Sequence, residues 1–251
     1  MSSTPMEVQQ GSAGLSQIER VTNTFFAPSK TMADIRANAS FWLPWVLITI
    51  FTLGFYWTVG EKVTWNQAMM NMVQKSPKAM QRIDQIPPDK KADLPQMLEK
   101  QGKAVTFIAP VTRILGMLIA AAGLLAVFNF GFGTHIEFKR MIAIVTYASL
   151  PLLVEKLLAM GTLFAGLDTE GFFYTNPIGT NIAFYLDMSK VGAFLYGVLA
   201  SFDIITIWMI FLMGLGVSLN SKVKTLTAAL TIAAVYGVVV VISASVGAAF
   251  N

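Results

Sequence analysis

VGAFLYGVLASFDIITIWMIFLMGLGV, residues 191–217, is long enough at about 1.5 Å per residue to cross a bilayer core of roughly 30 Å, and it carries Asp203 at its centre. A carboxylate at that depth costs about 2.5–3.5 kcal/mol on insertion scales. A chain that carries the cost has a partner for the charge or a use for it. Working outward, further apolar runs lie on both sides: 40–60, 104–133 and 139–166 before it, and 225–250 after it. Of the 251 residues 55% are hydrophobic and only 13% charged, against about 25% charged in soluble domains. Mean hydropathy is +0.60. The reading is an all-α, polytopic integral membrane protein with five transmembrane helices and a short helical extramembrane insert after the first.

Between these spans the chain divides as follows. Residues 1–15 are small and polar and read as a disordered tail. Residues 16–39 read as a cytoplasmic amphipathic segment, with Ser16 and Ser29 as helix caps. The first span has interface aromatics at its ends, Trp42, Trp45, Tyr56 and Trp57. Residues 61–103 are a polar insert expected to fold as short helices over 64–75, 77–86 and 94–101, the last capped by Asp93, closing the outer face without spanning. Pro151 should kink the third span. Residues 167–190 form a loop rich in aromatics, resting on the interface or on the bundle.

The net charge of +4 is modest, and the Lys and Arg residues flank apolar runs. They therefore point to membrane flanking and not to nucleic acid. Positive charges in the short loops set direction: Arg20, Lys30 and Arg36 before the first span, Lys139 and Arg140 after the second, and Lys222 and Lys224 after the fourth. All fall on one side. The insert holds eight Lys and Arg but also five acids, and longer segments steer less. The N-terminus is therefore expected in the cytoplasm and the C-terminus outside, in the cytoplasmic (inner) membrane of a prokaryote.

The chemistry-bearing candidates are few. There is no cysteine and one histidine, His135, so disulfides, thiolate metal sites and a HExxH zinc pair are excluded. No GxSxG elbow is present, and Asp203 is the only aspartate within a span, so a two-aspartate site is missing. No catalytic residue, metal or cofactor is expected. What remains is an intramembrane charge network of Asp203, Lys156 and Glu155, with Tyr196 and Thr206 as hydrogen-bonding neighbours of the aspartate. Lys156 lies about 22 Å above the start of its span and Asp203 about 22 Å above the matching end of the next, so the two are expected to pair. Glu155 is a poor partner for Lys156, because adjacent helix positions point about 100° apart. Ala193, Gly197 and Ser201 form a small-residue stripe for helix packing, within the chain or between copies. Arg113, near the outer end of the second span, reads as a snorkelling residue.

Three stretches resemble one family. FFAPSKTMADIRANASFWLPWVL (25–47), FKRMIAIVTYASLPLLVEKLL (138–158) and SFDIITIWMIFLMGLGVSLNSK (201–222) are similar, in this order and spacing, to motifs of the YIP domain, the Ypt/Rab-interacting protein family. In the last, Asp203, Trp208 and Gly214 or Gly216 match. The resemblance covers about 18–250, and the insert and short N-terminus look like prokaryotic-type members. It implies five spans, a cytoplasmic N-terminus and no catalytic activity. The long acidic N-terminal region of eukaryotic members is absent, so GTPase binding is not carried over. The expected function is a non-enzymatic membrane scaffold or membrane-organisation factor, whose partners are the lipid bilayer and a second copy or another membrane protein. The alternative is a small-solute or proton transporter or channel component using the intramembrane charges.

Overall fold

The structure, a computed structural model, describes residues 14–166 and 169–250. Most of the expected tail lies outside the described residues, but Leu15 is already tied down, its N–H donating to Asp34 at 3.3 Å. The described residues are helical, and among them there is no strand. Four helices are long and apolar enough to cross a membrane: Trp42–Lys62, Leu94–Gly131, Phe138–Phe164 and Thr225–Ala249. A shorter apolar helix, Ile204–Leu219, lies between the last two.

Two short helices open the chain, α1 (Gln17–Phe26) and α2 (Pro28–Asp34). Ser16 starts α1 with a capping box, its hydroxyl accepting from Glu19 N–H at 3.3 Å while Glu19 accepts from Ser16 N–H at 2.8 Å. Pro28 opens α2, where its missing N–H costs nothing, so Ser29 lies inside the helix and is not its cap. Arg20, fully buried, clamps this hairpin. Its Nε donates to Asp34 at 2.6 Å and its Nη1 to the Asn38 carbonyl at 2.7 Å.

The first long helix, α3 (Trp42–Lys62), leads into α4 (Trp65–Gln74), α5 (Pro77–Asp84) and the single turn α6 (Pro88–Lys91). Ser76 caps α5 as its sequence suggests, accepting from Ala79 N–H at 3.2 Å. The expected third insert helix is different. Residues 94–101 are the first turns of α7, which runs unbroken over Leu94–Ala126 and ends in a wider turn, Val127–Gly131. Asp93 makes no side-chain cap. Helix-compatible Lys, Gln and Glu carry the helix from polar to apolar sequence, so the change in composition at 103 is not a structural boundary.

α8 (Phe138–Ala148) and α9 (Pro151–Phe164) form the third apolar element, bent at Ser149–Leu150 just before Pro151. This element is the centre of the bundle. Of its apolar window 78% is buried, against 33%, 22% and 17% in the other three. Every residue from Met141 to Ala148 is buried, as expected for a helix apolar all round. Met32 of α2 and Ile35 just after it, with Phe128, Leu212 and Val217, pack around it.

The run 191–217 is not one helix. After the turn α10 (Met188–Val191), α11 (Ala193–Ser201) stops, Phe202 and Asp203 leave helical geometry, and α12 (Ile204–Leu219) begins. α13 (Thr225–Phe250) closes the fold. The two ends of the bundle are distinct. At one, Arg36 donates to the Leu219 carbonyl, and Asn220 Nδ2 donates to the Met32 carbonyl at 2.9 Å. At the other, Lys78 of α5 donates to the Ala249 carbonyl at 2.9 Å, and Asn71 of α4 to the Phe172 carbonyl at 2.9 Å.

Candidate functional site

The break at Phe202–Asp203 builds the site. A helix beginning inside an apolar layer exposes N–H groups with no intrahelical partner. Asp203 answers one of them. Its backbone is extended, and its Oδ1 accepts from Ile205 N–H at 2.7 Å, the geometry of an N-cap. Its other oxygen accepts from the Thr180 hydroxyl and from Asn181 Nδ2, the latter at 3.2 Å. Residue 181 also faces 203 as an isolated antiparallel bridge, and Ile204 N–H donates to the Thr180 carbonyl at 3.2 Å.

The loop that supplies these groups is stiffened by its own amides. Asn181 Nδ2 donates to Asn176 Oδ1 at 2.7 Å, and Asn176 Nδ2 returns to Asn181 Oδ1 at 3.2 Å. Asn176 Nδ2 also reaches the Tyr196 hydroxyl at 3.2 Å. Tyr196 thus connects to Asp203 through two asparagines and not directly. Thr206 lines the same chamber as Asp203.

Lys156 pairs with Glu155, its Nζ donating to Oε1 at 2.7 Å, and not with Asp203. Both side chains are largely buried, 9% and 19% exposed. The 100° between adjacent positions is a statement about Cβ directions. The long stems of lysine and glutamate bend round it, and an ion pair largely shielded from solvent rewards the bend. Lys156 Nζ also sits 4.5 Å from the centroid of the Phe55 ring, a cation–π contact. The expected pairing of Lys156 with Asp203 is therefore replaced by two separate attachments.

The three charged residues still share one chamber of about 340 Å³, with Tyr56, Arg113 and Asn181 among its walls. A second cavity of about 540 Å³ adjoins it, sharing Tyr56, Arg113, Leu152 and Lys156. The stripe Ala193, Gly197, Ser201 lies on α11. A Cβ built on Gly197 would stand 3.4 Å from the Ala244 Cβ of α13, and Ser201 Oγ donates to the Gly197 carbonyl at 2.8 Å.

Above the chamber lies an aromatic cap. Trp65, Tyr174 and Phe172 pack with Phe55, and Tyr174 meets Trp65 edge-on at 5.6 Å. Burial, with a smaller push from neighbouring Tyr56, raises the Tyr174 hydroxyl to about 12. Gly102 makes room for the indole, since a Cβ there would fall 2.5 Å from a Trp65 ring carbon.

Sequence reasoning passed over Asn176, Thr180 and Asn181. The signal was present as TNPIGTN, residues 175–181. It reads as a turn, and nothing local says that the turn reaches a carboxylate more than twenty positions on.

A bundle of apolar helices, four of them long and apolar enough to cross a membrane and the central one largely buried by the others, defines a polytopic helical membrane protein. A profile of the Yip1 domain matches residues 22–247, and the chain belongs to the Yip1 domain family. No curated protein and no solved structure matches it.

Proposed function

We propose that this protein is a non-enzymatic membrane scaffold, crossing the cytoplasmic membrane of a prokaryote five times with its N-terminus inside and its C-terminus outside. The observation that carries the scaffold reading is the assignment of the buried charges: Asp203 caps α12, Lys156 holds Glu155, and Arg20 clamps α1 to α2. Each serves the fold. Five crossings are supported by α11 and α12 in series. Residues 193–219 reach across roughly 30 Å of hydrocarbon at about 1.5 Å per residue, even with a break. Orientation rests on Lys30, Arg36, Lys139, Arg140, Lys222 and Lys224. Arg20 drops out of that count because it is buried in an ion pair.

The working partner of a scaffold is another membrane protein or a second copy. Crosslinking in native membranes, followed by purification of the full chain, tests this: a recurrent membrane-protein or self crosslink is expected, and only diffuse background would overturn it. A C-terminal alkaline phosphatase fusion should be active, and an active cytoplasmic reporter at the same position would reverse the orientation. A transport reading is favoured by one observation, a helix broken inside the apolar layer beside a polar chamber. Solute flux in proteoliposomes that disappears in Asp203→Asn would replace the scaffold reading with it.

A further inference from the structure

The bundle has an unclosed seam. α7 packs on α3, α4 and α8, and α13 packs on α11 and α12, whereas among the described residues α7 and α13 share no comparable packing. Between them lies the 540 Å³ trough, floored by Met117, Leu152, Met209 and Met213. Its rims are open: Thr112, Gly116 and Ala120 are exposed on α7, and Val239 on α13. A Cβ on Gly116 would meet nothing within 4 Å. Thr52, Ser149 and Tyr236 also line it, but most of its surface is apolar, and a trough of this size in a bilayer is filled, because a surface without neighbours forfeits its dispersion contacts.

The trough also has a polar end. Arg113 lines both the trough and the polar chamber. It has no ion pair among the described residues, whereas Lys156, beside it in the same walls, is neutralised by Glu155. The other anion in the chamber, Asp203, has both oxygens engaged by Ile205, Thr180 and Asn181. Arg113 stands about 27 Å along the helix from Gly131, close to the edge of a core of roughly 30 Å. Gly116 and Ala120 lead from it toward the bilayer centre. A planar guanidinium at headgroup depth above an apolar trough matches a phosphate joined to an acyl chain.

We infer that the seam between α7 and α13 is a binding site for one anionic phospholipid, with its phosphate on Arg113 and its chain in the trough. Native mass spectrometry of the full chain, in micelles with equal phosphatidylglycerol and phosphatidylcholine, tests it. Wild type should keep one phosphatidylglycerol in preference, and excess inorganic phosphate should not displace it. Arg113→Gln should lower that preference about tenfold, the effect of losing one charge-assisted contact, with the melting temperature without lipid unchanged. Gly116→Leu, which fills the trough from an open position and favours helix, should remove the bound lipid altogether. Ala120→Leu on the same rim gives the same reading if Gly116→Leu fails to fold. Preference unchanged in Arg113→Gln, lipid retained when the trough is filled, displacement by free phosphate, or a second copy of the chain occupying the seam would each overturn the site.

Discussion

Asn181 and Asp203 face each other across an antiparallel bridge, with the amide nitrogen of one 3.2 Å from the carboxylate of the other. That contact ties the loop after the third apolar element to the break in the next. It gives a carboxylate inside an apolar layer a structural task, starting a helix and anchoring a loop.

The first prediction follows from those partners. Asp203→Ala should lower stability by about 2 kcal/mol, the upper range for a lost N-cap. Adding Lys156→Met should not restore it. A double-mutant cycle in detergent should give a coupling of about 1–3 kcal/mol between Glu155 and Lys156, and near zero between Lys156 and Asp203. Coupling of Lys156 to Asp203 as large as that to Glu155 would return the pairing to the two spans.

Gly214 and Gly216 should separate under the same small change. A Cβ on Gly214 falls 2.8 Å from the Ala229 backbone of α13, which cannot step aside. On Gly216 it falls 2.5 Å from Ile144 Cγ2 and 3.0 Å from Met32 Sδ. No backbone atom stands in the way and the Met32 thioether is flexible, but the buried, β-branched Ile144 is stiff, so the cost is smaller without being absent. Gly214→Ala should cost about 1–3 kcal/mol by overpacking and Gly216→Ala less. Gly237→Ala, with nothing within 4 Å, should be neutral or stabilising. Melting temperatures of the three variants in one detergent check the order.

The Arg20–Asp34 clamp should behave as a buried pair. Asp34→Asn leaves a guanidinium with no exposed surface and should cost about 3–5 kcal/mol, while Arg20→Met with Asp34→Leu should recover much of it. Proteolysis between α1 and α2 of the purified full chain in detergent reads the loosening of the hairpin. Equal cleavage in the single and double variants would refute the clamp.

Tyr174 gives a pH dependence with a defined sign. Its hydroxyl is raised by burial from the usual 10 to about 12, so the folded state holds its proton where the unfolded chain has released it. The contribution is complete below pH 10 and is lost as pH rises toward 12. Thermal stability should therefore fall across that window. Tyr174→Phe should flatten the fall, and a slope as steep in the variant as in wild type would assign it to other groups.

Composition and periodicity determined the class. Apolar runs of about twenty residues with few charges point to a helical bundle, because a spanning strand needs only about ten and a helix satisfies its backbone groups within the segment. Local rules also set the Ser16 and Ser76 caps and the bend before Pro151, since each depends on residues within a turn. The tertiary structure alone decided three things. It broke 191–217 at Asp203, since the stop depends on Thr180 and Asn181, groups distant in sequence. It ran residues 94–126 as one helix, because helix propensity does not change where polarity does. And it gave Lys156 to Glu155, because long flexible side chains meet in directions that Cβ spacing does not specify.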